Sequence, residues 1–243
     1  MPMTDASEPV KSTAGQTSQD MEDFIYLISH DVRASVRALL ELPQWIQEDL
    51  ETSGVKINAQ VAGSIEMMNR HTGRLDRMLV DLLAHSRVGR MQTKKQLNLA
   101  LVLEEVLQDT AIPSGFRVEH DLVCDSVVMG ESDLPILLRD LVSNAIKHHD
   151  KPGGRLLLQT RREGAMVRIS ASDDGPGIAP EFHDRVFAPM TTLRPRDEVE
   201  GSGMGLAKVS KIAAHYGGDV AIKPSPFGRG LRIDVRVASG RVS

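Results

Sequence analysis

The sequence predicts two architectures in series: an antiparallel helical hairpin that dimerises into a four-helix bundle, followed by a separate α/β domain. Three observations predict it. Ile25, Ile28, Val32, Ser35, Leu39, Leu42 and Ile46 are spaced 3-4-3-4-3-4, the seam of a helix packed against other helices. Val61, Ile65, Met68, Thr72, Leu75, Leu79 and Leu82 repeat that spacing in a second helix. After Gly89 the texture changes to helical segments alternating with short β-rich runs, the pattern of an α/β domain.

The elements follow in order. Residues 1–20 are rich in Ser, Thr, Gln and Asp without periodicity and predict a disordered tail. Residues 21–90 form the hairpin, with the polar stretch Glu48–Asn58, containing Gly54, as its turn and Pro43 as a kink in the first helix. Two helices alone leave half of each seam wet, so a homodimeric four-helix bundle is expected. In residues 91–243 a helix is predicted over Ala100–Thr110, and strands over Phe116–Leu122 and Asp125–Met129. A helix from Ser132 to His149 and a hairpin of RLLLQTRRE and AMVRISAS turning at Gly164 come next. Strand signal ends at Asp173; a loop-rich stretch runs from Gly175 to Gly203, then a helix to about His215 and two closing strands, GDVAIKPS and GLRIDVRV.

The chain has 243 residues, and a net charge of -4 makes a dedicated nucleic-acid binder improbable on electrostatic grounds. Its single cysteine, Cys124, excludes an internal disulfide framework and fits a buried strand position in a reducing compartment. No apolar run reaches the ~20 residues of a membrane span, so a cytoplasmic protein is expected, its input arriving through the tail, the bundle or a separate sensor protein.

Four short segments carry chemistry. In DDGPGI, Gly175 and Gly177 permit a tight turn against a ligand, and the acid at its mouth can accept from an exocyclic amine. GSGMGLA, with Gly201, Gly203 and Gly205, opens a helix whose N–H groups suit an anion; it lacks the Gly-Lys-Ser/Thr of a Walker loop. On LLRDLVSNAIKHHD, residues Asp140, Asn144, Lys147 and His148 share one polar face, offering an oxygen ligand for magnesium and a cation for phosphates. His30, in ISHDVRAS, lies about 200° around the helix from both Ile28 and Val32 and so points away from the seam. Asp31 beside it can orient the imidazole. Each segment by itself is equally compatible with a turn, a helix start or a solvated helix face.

Together, and in this order, they resemble the transmitter module of a bacterial sensor histidine kinase. SHDVRAS resembles its histidine box, LRDLVSNAIKHH its asparagine box, DDGPGI and GSGMGLAKVSKI its two glycine boxes, and RVFAPM its phenylalanine box. SHDVRASVRAL and DLLAHSRVGR are most similar to the subgroup behind phytochrome-type sensors.

The resemblance implies a dimerisation and histidine-phosphotransfer hairpin followed by a GHKL (Bergerat) α/β sandwich that binds ATP and Mg2+. It implies His30 as phosphoacceptor and Asp31 as the acid that orients it. It further implies Asn144 as magnesium ligand, with Lys147 and His148 near the phosphates. Asp173 would accept the adenine amino group, Gly175 and Gly177 would shape that pocket, and Gly201, Gly203 and Gly205 would hinge a lid spanning about Phe187–Gly203. The implied partner is a response-regulator receiver domain whose aspartate takes the phosphoryl group. The alternative is a phosphotransfer protein relaying between receivers with a degenerate ATP domain. Departures from the family pattern are Ser35 in place of proline, Met190 in place of a second aromatic, and Ala34 where a Thr or Asn would orient water for phosphatase action. Asp140 replaces the first asparagine of its box, putting a carboxylate where phosphate would be repelled.

Overall fold

The structure is a computed structural model describing residues 13–90, 92–193 and 201–240, with side chains from residue 32 onward. It divides into two compact units at the Ser86–Arg87 peptide.

The first unit holds α1 (Thr13–Thr52) and α2 (Ala59–Arg87), the latter crossing the boundary at its last residue. α1 begins at Thr13, so part of the segment expected as disordered tail is helical; residues 1–12 lie outside the described residues. The helix runs through Pro43, and the turn is shorter than expected, Ser53–Asn58, with Gly54 at φ 70°. Asn58 caps α2, its Oδ1 accepting the Val61 N–H at 2.9 Å. The seams resolve into two faces. Val36 (2% exposed), Pro43 and Ile65 are buried, and Arg33 on α1 meets Asp76 on α2 at 3.8 Å. Val32, Leu39, Leu42 and Ile46 on α1 and Val61, Met68 and Leu75 on α2 stay exposed, Leu39 by 45% and Leu75 by 41%. The positions exposed on α2 recur every seven residues, the geometry of a second packing stripe.

The second unit is a sheet covered on one face by helices. Its elements are β1 (Lys94–Asn98), α3 (Leu99–Asp109), β2 (Gly115–Leu122), β3 (Ser126–Gly130), α4 (Asp133–Lys147), β4 (Gly153–Glu163), β5 (Met166–Asp173), α5 (Gly205–His215), β6 (Val220–Pro224) and β7 (Leu231–Ala238). The main sheet has the order β2-β4-β5-β7-β6, parallel only between β2 and β4, while β1 and β3 form a separate antiparallel pair. Thus β2 and β3, adjacent in sequence, join different sheets. β1 is absent from the sequence expectation because KKQLN carries no inward-outward alternation: it pairs at an edge with four of its five residues exposed. Two short 3-10 turns, Pro180–Phe182 and Arg185–Phe187, interrupt the stretch expected as loop.

Period-two alternation places the core. Leu156, Leu158 and Thr160 on β4, Val167, Ile169 and Ala171 on β5, and Leu231, Ile233, Val235 and Val237 on β7 are buried beneath the helices. α4 covers β4 and β5 with Leu134, Leu137, Leu138, Leu141, Val142 and Ala145, and α5 covers β6 and β7. Cys124 is buried, in the link between β2 and β3 rather than in a strand, with its Sγ 3.3 Å from the Ser126 carbonyl. A polar tie crosses this core. The Tyr216 hydroxyl donates to Asp133 at 2.7 Å and accepts the Gly130 N–H at 2.8 Å, and Asp133 also accepts the Gly89 N–H at 3.2 Å. Burial and the neighbouring carboxylate push the Tyr216 phenol upward, so it stays a donor.

Candidate functional site

The alternation that buries Val167, Ile169 and Ala171 carries on to Asp173, so the last residue of β5 turns a carboxylate toward the helix-covered face and leaves it 8% exposed. Its Oδ1 accepts the Gly175 N–H at 2.9 Å and the Leu231 N–H at 3.4 Å, and its carbonyl accepts the Ser225 hydroxyl at 2.6 Å. Among the described residues no hydrogen bond engages Oδ2, which leaves an acceptor for a ligand donor. Burial pushes the carboxyl up; the N–H groups of Gly175 and Leu231 oppose that.

Glycine is required on both sides of this carboxylate. Gly177 has φ 75°, and a Cβ there would stand 3.3 Å from the Gly230 carbonyl. Gly230 has φ 87°, and its Cβ would fall 2.1 Å from the Asp173 carbonyl oxygen. Gly175 lies between Asp173 and the ring of His149, whose Cδ2 would be 3.4 Å from a Cβ.

His149 is a residue that sequence reasoning missed in favour of His148. His148 is exposed at the C-terminal end of α4, whereas the His149 side chain is 2% exposed. Its Nε2 lies 3.1 Å from Asp174 Oδ1, the Lys151 N–H reaches Nδ1 at 3.1 Å, and the ring stands edge-on to Phe116 at 5.2 Å. Nδ1 also lies 3.2 Å from the Lys151 carbonyl; in the tautomer that accepts the Lys151 N–H, Nε2 donates to Asp174. Asp174 also accepts the Arg155 N–H at 2.6 Å; burial pushes its carboxyl up, but that N–H and the His149 ring together hold it below the usual carboxylate value. The neighbours that hold His149 come from three separate segments, at Phe116, Lys151 and Asp174, so adjacent histidines in sequence held no signal to tell them apart.

Across the site α4 presents Asn144, partly buried, with Asp140 one turn before it; Lys147 and His148 are exposed at its end. Asp140 faces the start of α5: its Oδ1 lies 3.7 Å from where a Gly205 Cβ would be, and its Oδ2 lies 3.3 Å from Lys208 Nζ. The polar face expected of Asp140, Asn144, Lys147 and His148 is therefore split, with Asp140 turned into an ion pair. Gly203, at φ 73°, brings its backbone against Met190 and Thr191; a Cβ would stand 2.6 Å from the Thr191 carbonyl. Residues 194–200 of the expected lid lie outside the described residues, as do the side chains of His30 and Asp31 in α1. Gly201 has no neighbour crowding it. Among the described residues no cluster of three His, Cys, Asp or Glu side chains could hold a metal ion.

The site thus has a buried acceptor behind a glycine turn at the end of β5, with Asn144 partly buried on α4 and a glycine at the start of α5. Residues 130–240 match the family model of histidine kinase-, DNA gyrase B- and HSP90-like ATPases, and the second unit is an ATPase domain of that class. Over most of its length, hairpin included, the chain is similar in sequence to sensor histidine kinases. It is 26% identical over 219 residues to cyanobacterial phytochrome A of Nostoc sp., covering 88% of this chain and 28% of that protein. It is 29% identical over 217 residues to the methanogenesis regulatory histidine kinase FilI of Methanothrix harundinacea, covering 87% of this chain and 24% of that one. The chain spans about a quarter of the length of these two relatives. In fold it is similar to full-length ShkA, solved in complex with AMPPNP, with a TM-score of 0.68 and 20% identity over 91% of this chain and 47% of that one. It is also similar to the Acinetobacter baumannii histidine kinase AdeS, with a TM-score of 0.57 and 21% identity over 85% of this chain and 98% of that one. Among the described residues no helix is long and apolar enough to cross a membrane.

Proposed function

We propose that the chain autophosphorylates His30 with ATP and passes the phosphoryl group to an aspartate of a response-regulator receiver domain. The observation that carries this is Asp173, a buried carboxylate with one oxygen held by two backbone N–H groups and the other available, behind glycines that keep the backbone clear. That pocket, intact down to Gly230, favours a working ATP domain over the relay reading, in which it would have no use.

The residues fit the nucleotide. Asp173 accepts the adenine amino group, and Gly175 and Gly177 let the base approach. Asn144 supplies an oxygen to Mg2+, which neutralises phosphate charge when bound and takes few protein ligands. Lys147 and His148 stand near the phosphates, and the Gly201, Gly203 and Gly205 segment folds over them. In this reading His30 is the nucleophile toward the γ-phosphorus, and Asp31 is the acid assigned to orient it. An N–P bond forms as the bond to the bridging oxygen breaks and ADP leaves, so positioning and charge neutralisation are the protein's main contributions. Cytoplasmic ATP is the phosphoryl source, and the buried free thiol of Cys124 agrees with that compartment.

Incubation with γ-labelled ATP tests the reading. Acid-labile label is expected on the wild type and its transfer to a receiver domain; His30→Gln is expected to take up none while binding nucleotide normally. Label that survives in His30→Gln overturns it in favour of a kinase acting on another residue.

The exposed stripe of Val32, Leu39, Leu42 and Ile46 with Met68 and Leu75 supports a homodimer, since a second hairpin would cover it. Sedimentation at micromolar concentration is expected to give a dimer for the wild type and a monomer for Leu39→Glu combined with Leu75→Glu. A wild-type monomer would count against the bundle.

A further inference from the structure

Lys208 is a buried lysine on the packed face of a helix. It is the fourth residue of α5, 7% exposed among Leu206, Ala207, Val209 and Ile212, all of them buried. A lysine rarely goes under an apolar layer without a counter-charge, because desolvating the ammonium costs several kcal/mol. Its counter-charge is Asp140, 3.3 Å away on α4, with the two side chains 8% and 15% exposed. Asp140 sits one helical turn before Asn144 and against the backbone of Gly205, at the point where the glycine-rich helix start and the asparagine converge. An uncompensated carboxylate there would repel a triphosphate.

We propose that Lys208 is a positioning residue for nucleotide binding: by pairing with Asp140 it cancels the carboxylate at the head of α5, and the pair replaces a neutral side chain beside the phosphate site. The inference rests on the nucleotide reading of that site. It predicts effects of opposite sign. Lys208→Met removes the ammonium that faces Asp140 beside the phosphates and is expected to weaken Mg-AMPPNP binding about tenfold. Asp140→Asn removes the carboxylate while keeping the ammonium and is expected to hold or tighten binding. A purely structural pair would lower the melting temperature of both single variants without splitting their affinities in this way.

The experiment is calorimetric titration of the full chain with Mg-AMPPNP, with thermal unfolding of the nucleotide-free proteins alongside. Asp140→Asn combined with Lys208→Met is expected to return both affinity and melting temperature toward wild type, because both members of the pair are then neutral. Lys208→Arg, which keeps the charge, is expected to hold affinity within threefold of wild type. If Lys208→Met does not fold alone, Asp140→Asn and the double variant carry the test. Equal affinities of wild type and Lys208→Met, or a tenfold loss in Asp140→Asn, overturn the inference. A folded wild type that binds no nucleotide overturns the underlying site reading instead, so the two failures are distinguishable.

Discussion

Asp173→Asn is expected to abolish detectable nucleotide binding while leaving a folded and more stable protein. The amide has the shape of the carboxylate, and its oxygen can still accept the N–H groups of Gly175 and Leu231, so the turn is held. The second oxygen, however, becomes an NH2 donor facing a donor of the base. A buried donor-donor clash leaves two polar groups unsatisfied at about 1–3 kcal/mol each, enough for a loss of a hundredfold or more. Stability moves the other way. Burial raises the Asp173 carboxyl above its ordinary 3.8, so the fold holds this proton more tightly than the unfolded chain does. Its contribution to stability is present below the ordinary value and is lost as pH rises through the raised one. The asparagine has no such loss. The melting temperature of the variant relative to wild type should therefore increase with pH from about 4 upward and then level off. Titration with AMPPNP and thermal melts from pH 4 to 8 check both halves; binding within threefold of wild type would remove Asp173 from the site.

Gly230→Ala is expected to cost both the pocket and about 3 kcal/mol or more of stability. Gly230 occupies the left-handed region at φ 87°, where a side chain is strained, and its added Cβ would meet the Asp173 carbonyl oxygen at 2.1 Å and Oδ1 at 2.8 Å. The colliding atoms include backbone, so no rotamer change relieves them. The start of β7 must move, and the Leu231 N–H leaves Asp173 with it. Gly164→Ala is the control: φ is 61° but nothing lies within 4 Å, so it should cost only about 1 kcal/mol and spare binding. Urea unfolding and nucleotide titration of both variants check this. Equal behaviour of the two would show that the approach to Asp173 has no part in the site.

Much of the site is legible in the sequence because its chemistry lies in short segments. Asp173, Gly175 and Gly177 come within five residues at the end of a strand, and β5 itself is readable from the alternation of Val167, Ile169 and Ala171. Asn144 is placed by the same periodicity that buries Leu137, Leu141 and Val142 on α4. Gly230 is harder to find, since its constraint is the Asp173 carbonyl, which is 57 positions away in the numbering (230 minus 173). β1 escapes because its five residues do not alternate, and α1 extends over Thr13–Asp20 despite their polar composition.

The hydrophobic spacing alone specifies that the hairpin helices carry continuous stripes, since helical period is a local property of the chain. Which residues of a stripe face the neighbouring helix and which remain open is decided only in three dimensions: Val36 is buried and Leu39 is not, although the stripe contains Leu39 and skips Val36. The same division governs charge. Asp140 reads in one dimension as a carboxylate out of place near phosphate, and nothing along the chain singles out Lys208. Folding brings α4 and α5 together and makes them one neutral pair. The energy of a buried charge depends on its partner across space, and no local pattern along the chain encodes that distance.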